Sequence, residues 1–363
     1  MNPSVLENIL TLHAQRYPAM EEQDYVKLLC QSELGPAHLL SSPEEALSAL
    51  REEFAQAKEE GYAPAYTVEA IGGGLCRFHL NPQSLAEDDL PLLCRCFAGS
   101  AYERGSRAGL CEKLGFLSGL TWRGGLPLDR EALDSFLALY TAMNCPTLHH
   151  SGGYREAYRP HYRVMDRDLA LYFPALQAID KALREANGPI LVAVDGRCGA
   201  GKTTFAARCA QVFGDCSVLH MDDFFLPPDK RTPERLSTPG GNVDYERAEE
   251  ELFAPLSRGG SAAYRPFDCA AGDFGELIGV PCARLNLVEG TYALHPALAK
   301  YAQVKLFFTC SPQAQLARLE RRETAEKLKQ FRERWIPLEE AYFAGLATES
   351  RCDVTIDTTH LPV

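Results

Sequence analysis

Positive charge is scarce in this sequence. Its 363 residues include 37 Lys and Arg against 49 Asp and Glu, which gives a formal net charge of −12. Proteins that bind nucleic acid or a membrane surface attract those partners through clustered Lys and Arg. The charge balance therefore argues against both, and we expect a small molecule as the partner. Nothing in the sequence fixes the oligomeric state.

Long apolar runs are also lacking. No stretch approaches the length that a membrane-spanning helix requires. The first residues, Met-Asn-Pro-Ser-Val-Leu-Glu, lack the basic start and apolar continuation of a secretory signal. We therefore expect a cytoplasmic protein.

The 13 cysteines do not form a zinc-binding pattern. The two nearest spacings are Cys94-Arg-Cys96 and the group of Cys145, His149 and His150, and neither supplies a set of four ligands. Because the cysteines are scattered through apolar and helical contexts of a large chain, we expect reduced thiols rather than disulfides.

The most informative stretch runs from Val192 to Thr204. An apolar run precedes the pattern Gly-x-x-x-x-Gly-Lys-Thr and a helix-compatible segment follows it, which is the arrangement of a phosphate-binding P-loop. Main-chain N–H groups and the positive end of the helix dipole hold the phosphates, while the Lys reaches the β- and γ-phosphates and the Thr binds Mg²⁺. ATP and Mg²⁺ are therefore the expected cofactors. The expected nucleotide-binding residues are Gly196, Gly199, Ala200, Gly201, Lys202, Thr203 and Thr204.

Hydrophobic periodicity divides the chain into two parts. Helical spacing dominates up to about residue 186, apart from a turn and short strand near Gly72–Gly74. After residue 189, apolar strands alternate with helices, which predicts a mainly parallel sheet covered on both faces. We predict an α/β fold: a P-loop domain over 189–363, a connecting helix and linker over 166–188, and a mostly helical domain of unknown role over 1–165. The predicted strands are 190–194, 217–220, 284–288, 304–309 and 354–356, and the predicted helices of this part include 244–256 and 312–334.

Three carboxylates follow predicted strands. Asp222 and Asp223 come directly after one strand, and Glu289 ends another. Ligands of parallel sheets bind at the carboxyl ends of the strands, where the P-loop also lies. Phosphoryl transfer needs a carboxylate for Mg²⁺ and a group that orients or deprotonates the attacking hydroxyl. We expect Thr203, Asp222 and Glu289 around the metal. Asp223 fits a helix cap or a supporting contact as well as it fits a catalytic role.

The part from Ile190 onward resembles the uridine kinase, phosphoribulokinase and pantothenate kinase group of P-loop kinases. The matching stretches are 196–204, 219–225, 287–294 and 316–322. The resemblance implies a P-loop kinase domain in which Asp222 is the general base, Lys202 contacts the phosphates and Glu289 supports the metal. It also implies a lid helix whose Arg318 and Arg322 neutralise charge on the transferred phosphoryl group. The alternative for this helix is a solvated charged surface, because Glu320 and Glu323 are interleaved with the arginines.

The acceptor site is predicted by position alone. Its expected residues are Asp223, Asp244, Tyr264, Arg265 and Asp268. Asp244 has an alternative role as the cap of the helix that begins there. The segments that hold the nucleoside in uridine kinases differ here, so the identity of the acceptor stays open.

A second unusual segment spans Tyr154–Arg163, where the pair Tyr-Arg occurs three times at four-residue intervals. Helical spacing would align Arg155 and Arg159, although Pro160 prevents one continuous helix. The segment fits either an anion- or nucleotide-contacting patch or an exposed helix whose tyrosines pack on neighbouring structure.

We predict an ATP-dependent phosphotransferase with an alcohol group as acceptor, on a small nucleoside-like or sugar-containing metabolite. The alternatives are a regulatory ATPase that acts through the N-terminal domain, and a separate enzyme formed by the N-terminal half.

Overall fold

A computed structural model describes residues 2–37, 42–269 and 271–361. The chain forms two compact units, Met1–Ala170 and Leu171–Val363. The division falls inside the stretch 166–188 that the sequence predicts to connect two domains.

The first unit is mostly helical. Ser106 and Asp129 begin two of its helices, and each side chain accepts a hydrogen bond from the main-chain N–H three residues later. Leu10, Tyr25 and Leu133 are among the buried residues of a core formed by several helices. The helices are α1 (Pro3–Arg16), α2 (Glu22–Leu34), α3 (Pro43–Glu59), α4 (Leu90–Gly99), α5 (Arg107–Trp122), α6 (Arg130–Ala142) and α7 (Gly152–Tyr158).

A small antiparallel sheet completes the first unit. Its strands are β1 (Val68–Gly72), β2 (Leu75–His79) and β3 (Tyr162–Asp166), in the order β1-β2-β3. The sequence predicts a turn and a strand near the triple glycine but misses β3. Pro160 separates α7 from β3, so the third Tyr-Arg pair lies on a strand, where Tyr162 is opposite His79 of β2.

Helix α8 (Arg167–Glu185) contains the division between the units. The second unit then builds a five-stranded parallel sheet from β4 (Ile190–Gly196), β5 (Cys216–His220), β10 (Leu285–Glu289), β11 (Val304–Thr309) and β12 (Val354–Asp357). The strand order is β12-β11-β4-β10-β5. Every residue of the central strand β4 is buried, which explains the apolar run over its first five residues.

Shorter elements of the second unit lie between β5 and β10. Two small antiparallel ladders pair β6 (Ala262–Tyr264) with β9 (Ile278–Val280) and β7 (Phe267–Asp268) with β8 (Asp273–Phe274), and the sequence predicts neither. The helices of this unit are α9 (Lys202–Phe213), α10 (Pro233–Ser237), α11 (Tyr245–Ala248), α12 (Ala254–Ser257), α13 (Pro296–Ala299), α14 (Pro312–Arg322), α15 (Ala325–Gln330) and α16 (Ile336–Leu346).

The predicted fold class is confirmed: a P-loop domain with a parallel sheet follows a mostly helical domain. One predicted helix is wrong in its length, because 312–334 is not continuous. Glu323 adopts an extended conformation with φ −109° and ψ 157°, and Thr324 caps the next helix by accepting from Lys327 N–H. Among the described residues, no helix has both the length and the apolar character needed to span a bilayer.

Candidate active site

The P-loop connects β4 to α9 in a conformation that requires glycine. Gly196 has φ +134°, and a Cβ placed on it would lie 2.0 Å from the carbonyl oxygen of Phe308. Gly201 has φ +89° and immediately precedes the first turn of α9. Between them, Ala200 is fully buried, whereas Thr203 and Thr204 are exposed at the start of the helix. The loop therefore presents the helix start to solvent, as a phosphate-binding loop must.

Lys202 is buried and its ammonium lies against the loop. Its Nζ donates to the carbonyl oxygens of Gly196 at 2.7 Å and Arg197 at 3.0 Å. Among the described residues it has no carboxylate within ion-pair distance. The ammonium is therefore held by main-chain carbonyl oxygens of the loop.

Glu289 lies at the end of β10, next to the P-loop. It is 5% exposed, and its Oε1 accepts hydrogen bonds from the Thr203 hydroxyl at 2.9 Å and from His220 Nδ1 at 2.7 Å. Burial alone would raise the pKa of Glu289, but these two hydrogen bonds and the charge on Lys202 outweigh burial and lower it. Glu289 is therefore ionised, and its hydrogen bond raises the pKa of His220 in return.

Asp222 begins the turn after β5 and has a different environment. Its side chain is exposed, and among the described residues its carboxylate has no hydrogen-bond or ion-pair partner. Desolvation by the surrounding protein raises the pKa of Asp222, and so do the nearby carboxylates of Glu289 and Asp223. The charges of Lys202 and His220 oppose that shift. A carboxylate that is accessible, unpaired and more basic than usual is suited to accept a proton.

The predicted acceptor residues fall into separate environments. Tyr264 donates a hydrogen bond to Asp223 at 2.8 Å. Asp244 is fully buried, accepts from Lys230 at 2.9 Å and caps α11 through Arg247 N–H, which is the alternative role that its position suggests.

Arg265 and Asp268 complete that predicted set, and both are exposed. The side chain of Arg247 donates to the carbonyl oxygens of Asp223 at 3.0 Å and Arg265 at 2.9 Å, and so holds the two segments together. The sequence offers no pattern that would identify Arg247 in this role.

The two predicted lid arginines lie in different surroundings. Arg318 donates to the carbonyl oxygen of Gly199 at 3.0 Å and to the hydroxyl of Thr358 at 2.8 Å. Arg322 is half-exposed and pairs with Glu323. Arg318 thus supports the P-loop, and the structure does not place the two guanidinium groups on shared partners.

Two further carboxylates brace the P-loop, and sequence reasoning misses both. Asp195 is fully buried, accepting from Gly196 N–H at 2.7 Å and the Tyr342 hydroxyl at 2.8 Å. Glu339, on α16, accepts from Cys198 N–H at 3.0 Å, and burial raises its pKa. Asp195 directly precedes the first glycine of the motif, whereas Glu339 lies far away in sequence without any local pattern.

The donor set at this edge fits Mg²⁺ rather than a softer metal. Thr203 and Glu289 present oxygen atoms 2.9 Å apart, and Asp222 adds a carboxylate. Oxygen donors are the ligands that Mg²⁺ prefers, and it is usually bound by few protein groups together with substrate phosphates. Accordingly, the described residues contain no cluster of three or more His, Cys, Asp or Glu side chains arranged to hold a metal by themselves.

Comparison with protein-family models and with curated proteins gives no match. Among solved structures, a protein described as a possible uridine kinase from Bacillus stearothermophilus aligns with 51% of this chain and 100% of its own, at 18% identity and a TM-score of 0.40. D-glycerate 3-kinase from Cryptococcus neoformans aligns with 49% of this chain and 90% of its own, at 14% identity and a TM-score of 0.39. These likenesses span about half of the chain, so the functional proposal rests on the geometry of the site.

Proposed function

We propose that the second unit is an ATP- and Mg²⁺-dependent kinase that phosphorylates a hydroxyl group of a small nucleoside-like or sugar-containing molecule. The observation that supports this most strongly is the arrangement around the P-loop. Thr203 is bonded to Glu289, and the unpaired Asp222 carboxylate follows the neighbouring strand.

The nucleotide end of the site is formed by the loop itself. Lys202 would exchange its two carbonyl partners for phosphate oxygens. The main-chain N–H groups at the start of α9 would donate hydrogen bonds to the other phosphate oxygens. Thr203 and Glu289 would hold Mg²⁺, with Asp222 nearby. When bound, the metal ion would neutralise charge on the β- and γ-phosphates.

Asp222 is the proposed general base. It would take the proton of the acceptor hydroxyl as that oxygen bonds to the γ-phosphorus and the bond to the β,γ-bridging oxygen breaks, releasing ADP. Its raised pKa makes it a better proton acceptor than Glu289, whose pKa is lowered and whose oxygen already accepts two hydrogen bonds. The two carboxylates are thereby assigned different roles.

The remaining assignments follow from position. The acceptor would lie near the Tyr264–Asp223 pair and the exposed Arg265 and Asp268. Arg322 is the proposed lid arginine, with Arg318 fixing the loop. We retain 189–363 as the catalytic domain, 166–188 as the connection and 1–165 as a mostly helical domain of unknown role.

An acceptor screen tests the proposal. Purified full-length protein is incubated with ATP, Mg²⁺ and panels of nucleosides, sugars and polyols, and both ADP and phosphorylated product are measured. We expect one class of hydroxyl compound to give product equal to the ADP formed, and the Lys202→Ala protein to give none. Slow ATP hydrolysis without product from any acceptor would contradict the proposal and favour the regulatory ATPase.

A further inference from the structure

The first unit contains a cleft with a volume of about 770 Å³. Its lining comes from α2, α3 and the segment 149–164, which includes the Tyr-Arg repeats. A cleft of this size accommodates a metabolite. The lining includes many charged and polar side chains: Lys27, Gln31, Glu52, Glu53, Glu60, His150, Arg155, Arg159, His161, Tyr162 and Arg163.

A chain of hydrogen bonds forms the floor of the cleft. Asp24, which is fully buried, accepts from His150 Nδ1 at 2.7 Å, and His150 Nε2 lies 2.6 Å from the Tyr162 hydroxyl. Burial lowers the pKa of His150 to about 4, so its ring is neutral at physiological pH. With Nδ1 donating to Asp24, Nε2 has no proton and must accept from the phenol. The direction of every hydrogen bond in this chain is therefore fixed.

The floor is anchored from below. Gln31 donates to the Tyr162 oxygen at 3.1 Å and accepts from both Nε and Nη2 of Arg77, at 3.1 and 3.0 Å. Arg77 is fully buried and pairs with the buried Glu69 at 3.7 Å. His150, Tyr162 and Gln31 therefore use their polar atoms on one another and on buried neighbours, and the floor adds no charge of its own to the cleft.

The acidic wall is largely neutralised by its neighbours. Glu53 pairs with Arg163, and Glu60 lies 3.2 Å from His161. The carboxylates of Glu53, 3.7 Å from His161 Nδ1, and Glu60 raise the pKa of His161 against the effect of burial. On this side only Glu52 lacks such a partner among the described residues.

Positive charge also lines the cleft. Lys27 donates to the carbonyl oxygen of Leu148 at 2.6 Å, and Arg155 to that of Ser151 at 3.4 Å. Together with Arg159, these cations have no carboxylate within ion-pair distance among the described residues. In a chain with a net charge of −12, three cations without an ion-pair partner in the described lining of one cleft are an unusual arrangement.

We propose that this cleft binds a small organic anion, with its phosphate or carboxylate group against Lys27, Arg155 and Arg159. Arginine and lysine are the side chains that hold such groups through charge-assisted hydrogen bonds. The hydrogen-bonded floor and the largely paired glutamates shape the space for the rest of the ligand. All lining residues of the cleft belong to the first unit, and the proposal does not rest on the proposed kinase activity.

The test measures binding to the full-length protein with Lys202→Ala in place, which removes the P-loop ammonium as a competing site. Inorganic phosphate and citrate are titrated separately by calorimetry, so that the two arms distinguish phosphate from carboxylate recognition. We expect at least one anion to bind, and the double change Arg155→Gln and Arg159→Gln to weaken it by at least about tenfold, which is the loss of one charge-assisted hydrogen bond or more.

The matched control is Arg123→Gln with Arg130→Gln. Both residues are exposed in the first unit, outside the cleft lining, and the double change removes the same net charge. It should leave affinity within about twofold, since long-range effects of exposed charges are screened. Failure of both anions to bind, or equal weakening by the two double variants, would overturn the proposal.

A second readout uses Lys27. Burial, then the nearby Arg77, lowers its pKa to about 8, whereas Asp24 and Cys30 oppose the shift and the neighbouring His150 is neutral. At pH 8 the ammonium is about half protonated, so a bound anion should draw in up to roughly half a proton. Citrate titrated in buffers of different ionisation enthalpy detects this uptake, and Lys27→Met should abolish it. Unchanged uptake in that variant would exclude Lys27 from the site.

Discussion

The P-loop site and the N-terminal cleft are built in opposite ways. The P-loop binds through main-chain groups and its essential residues are neighbours in sequence, from Gly196 to Thr203. The cleft depends on side chains that are far apart in sequence, as in the contact between Asp24 and His150, which are separated by 126 positions. A site made from one loop can be recognised in the sequence as a motif, whereas a site made from several elements can be recognised only in the folded structure.

Because the P-loop depends on its main-chain conformation, the largest expected effect comes from a substitution at Gly196. Gly196→Ala would place a Cβ 2.0 Å from the carbonyl oxygen of Phe308 at φ +134°. We expect ATP binding to be lost and the free energy of unfolding to fall by about 3 kcal/mol or more, because neither strand nor loop can move without breaking the sheet. Gly214→Ala is the control. It has φ +75° but no atom within 4 Å, so about 1 kcal/mol should be lost and ATP binding kept. Equal effects would show that the loop tolerates a side chain.

Buried histidine side chains should make the stability of the first unit depend on pH. Burial, aided by Arg77, lowers the pKa of His13 and His150 from 6.5 to about 4. Between these pH values the unfolded chain binds protons that the folded chain does not, so stability falls as the pH falls from about 6.5 towards 4. At pH 5 the loss should be roughly 2 kcal/mol per histidine relative to pH 7. Urea unfolding at both pH values measures it.

Two variants isolate His150 in that measurement. His150→Gln should be destabilised at pH 7, because Asp24 and Tyr162 lose their partner, but should lose less further stability at pH 5. The adjacent His149 is exposed, so His149→Gln should keep the full pH dependence of the unchanged protein. If His149→Gln flattened the dependence and His150→Gln did not, the assignment of the buried histidine would be wrong.

A smaller expected effect, on ATP affinity, distinguishes Arg318 from Arg322, for which the sequence predicts the same role. Arg318→Gln removes hydrogen bonds to Gly199 and Thr358, so we expect ATP binding to weaken by about tenfold. Arg322→Gln removes only a half-exposed pair with Glu323 and should change ATP affinity by no more than about twofold. Fluorescent nucleotide titration measures both, and the opposite order would contradict the division of roles.

The sequence predicts the parallel sheet because its inner strands β4 and β10 are buried along their whole length, so that both contain apolar runs. The central strand, Ile190–Gly196, is fully buried. The same logic places Asp222 and Glu289 at strand ends. It misses β3, because the Tyr-Arg repeat that contains Tyr162 has helical spacing and only pairing with β2 makes it a strand.

Contacts between distant elements could not be predicted. His220 stands next to Met221 and Asp222, yet its hydrogen bond to Glu289 depends on the pairing of β5 with β10. Glu339 reaches the P-loop from α16, and no local pattern marks it. The break at Glu323 depends on the cap by Thr324, which helical periodicity does not detect.

Asp222→Asn tests the central claim most directly. Asp229→Asn is the matched control, since Asp229 is an exposed acid on the same segment. With the acceptor identified by the screen, rapid-quench measurement of a single turnover should show phosphoryl transfer slower by roughly two to four decades in Asp222→Asn, the range for a lost general base. ATP affinity should stay within about twofold, and Asp229→Asn should match the unchanged protein. Normal transfer by Asp222→Asn would contradict the role of Asp222 and with it the proposed mechanism.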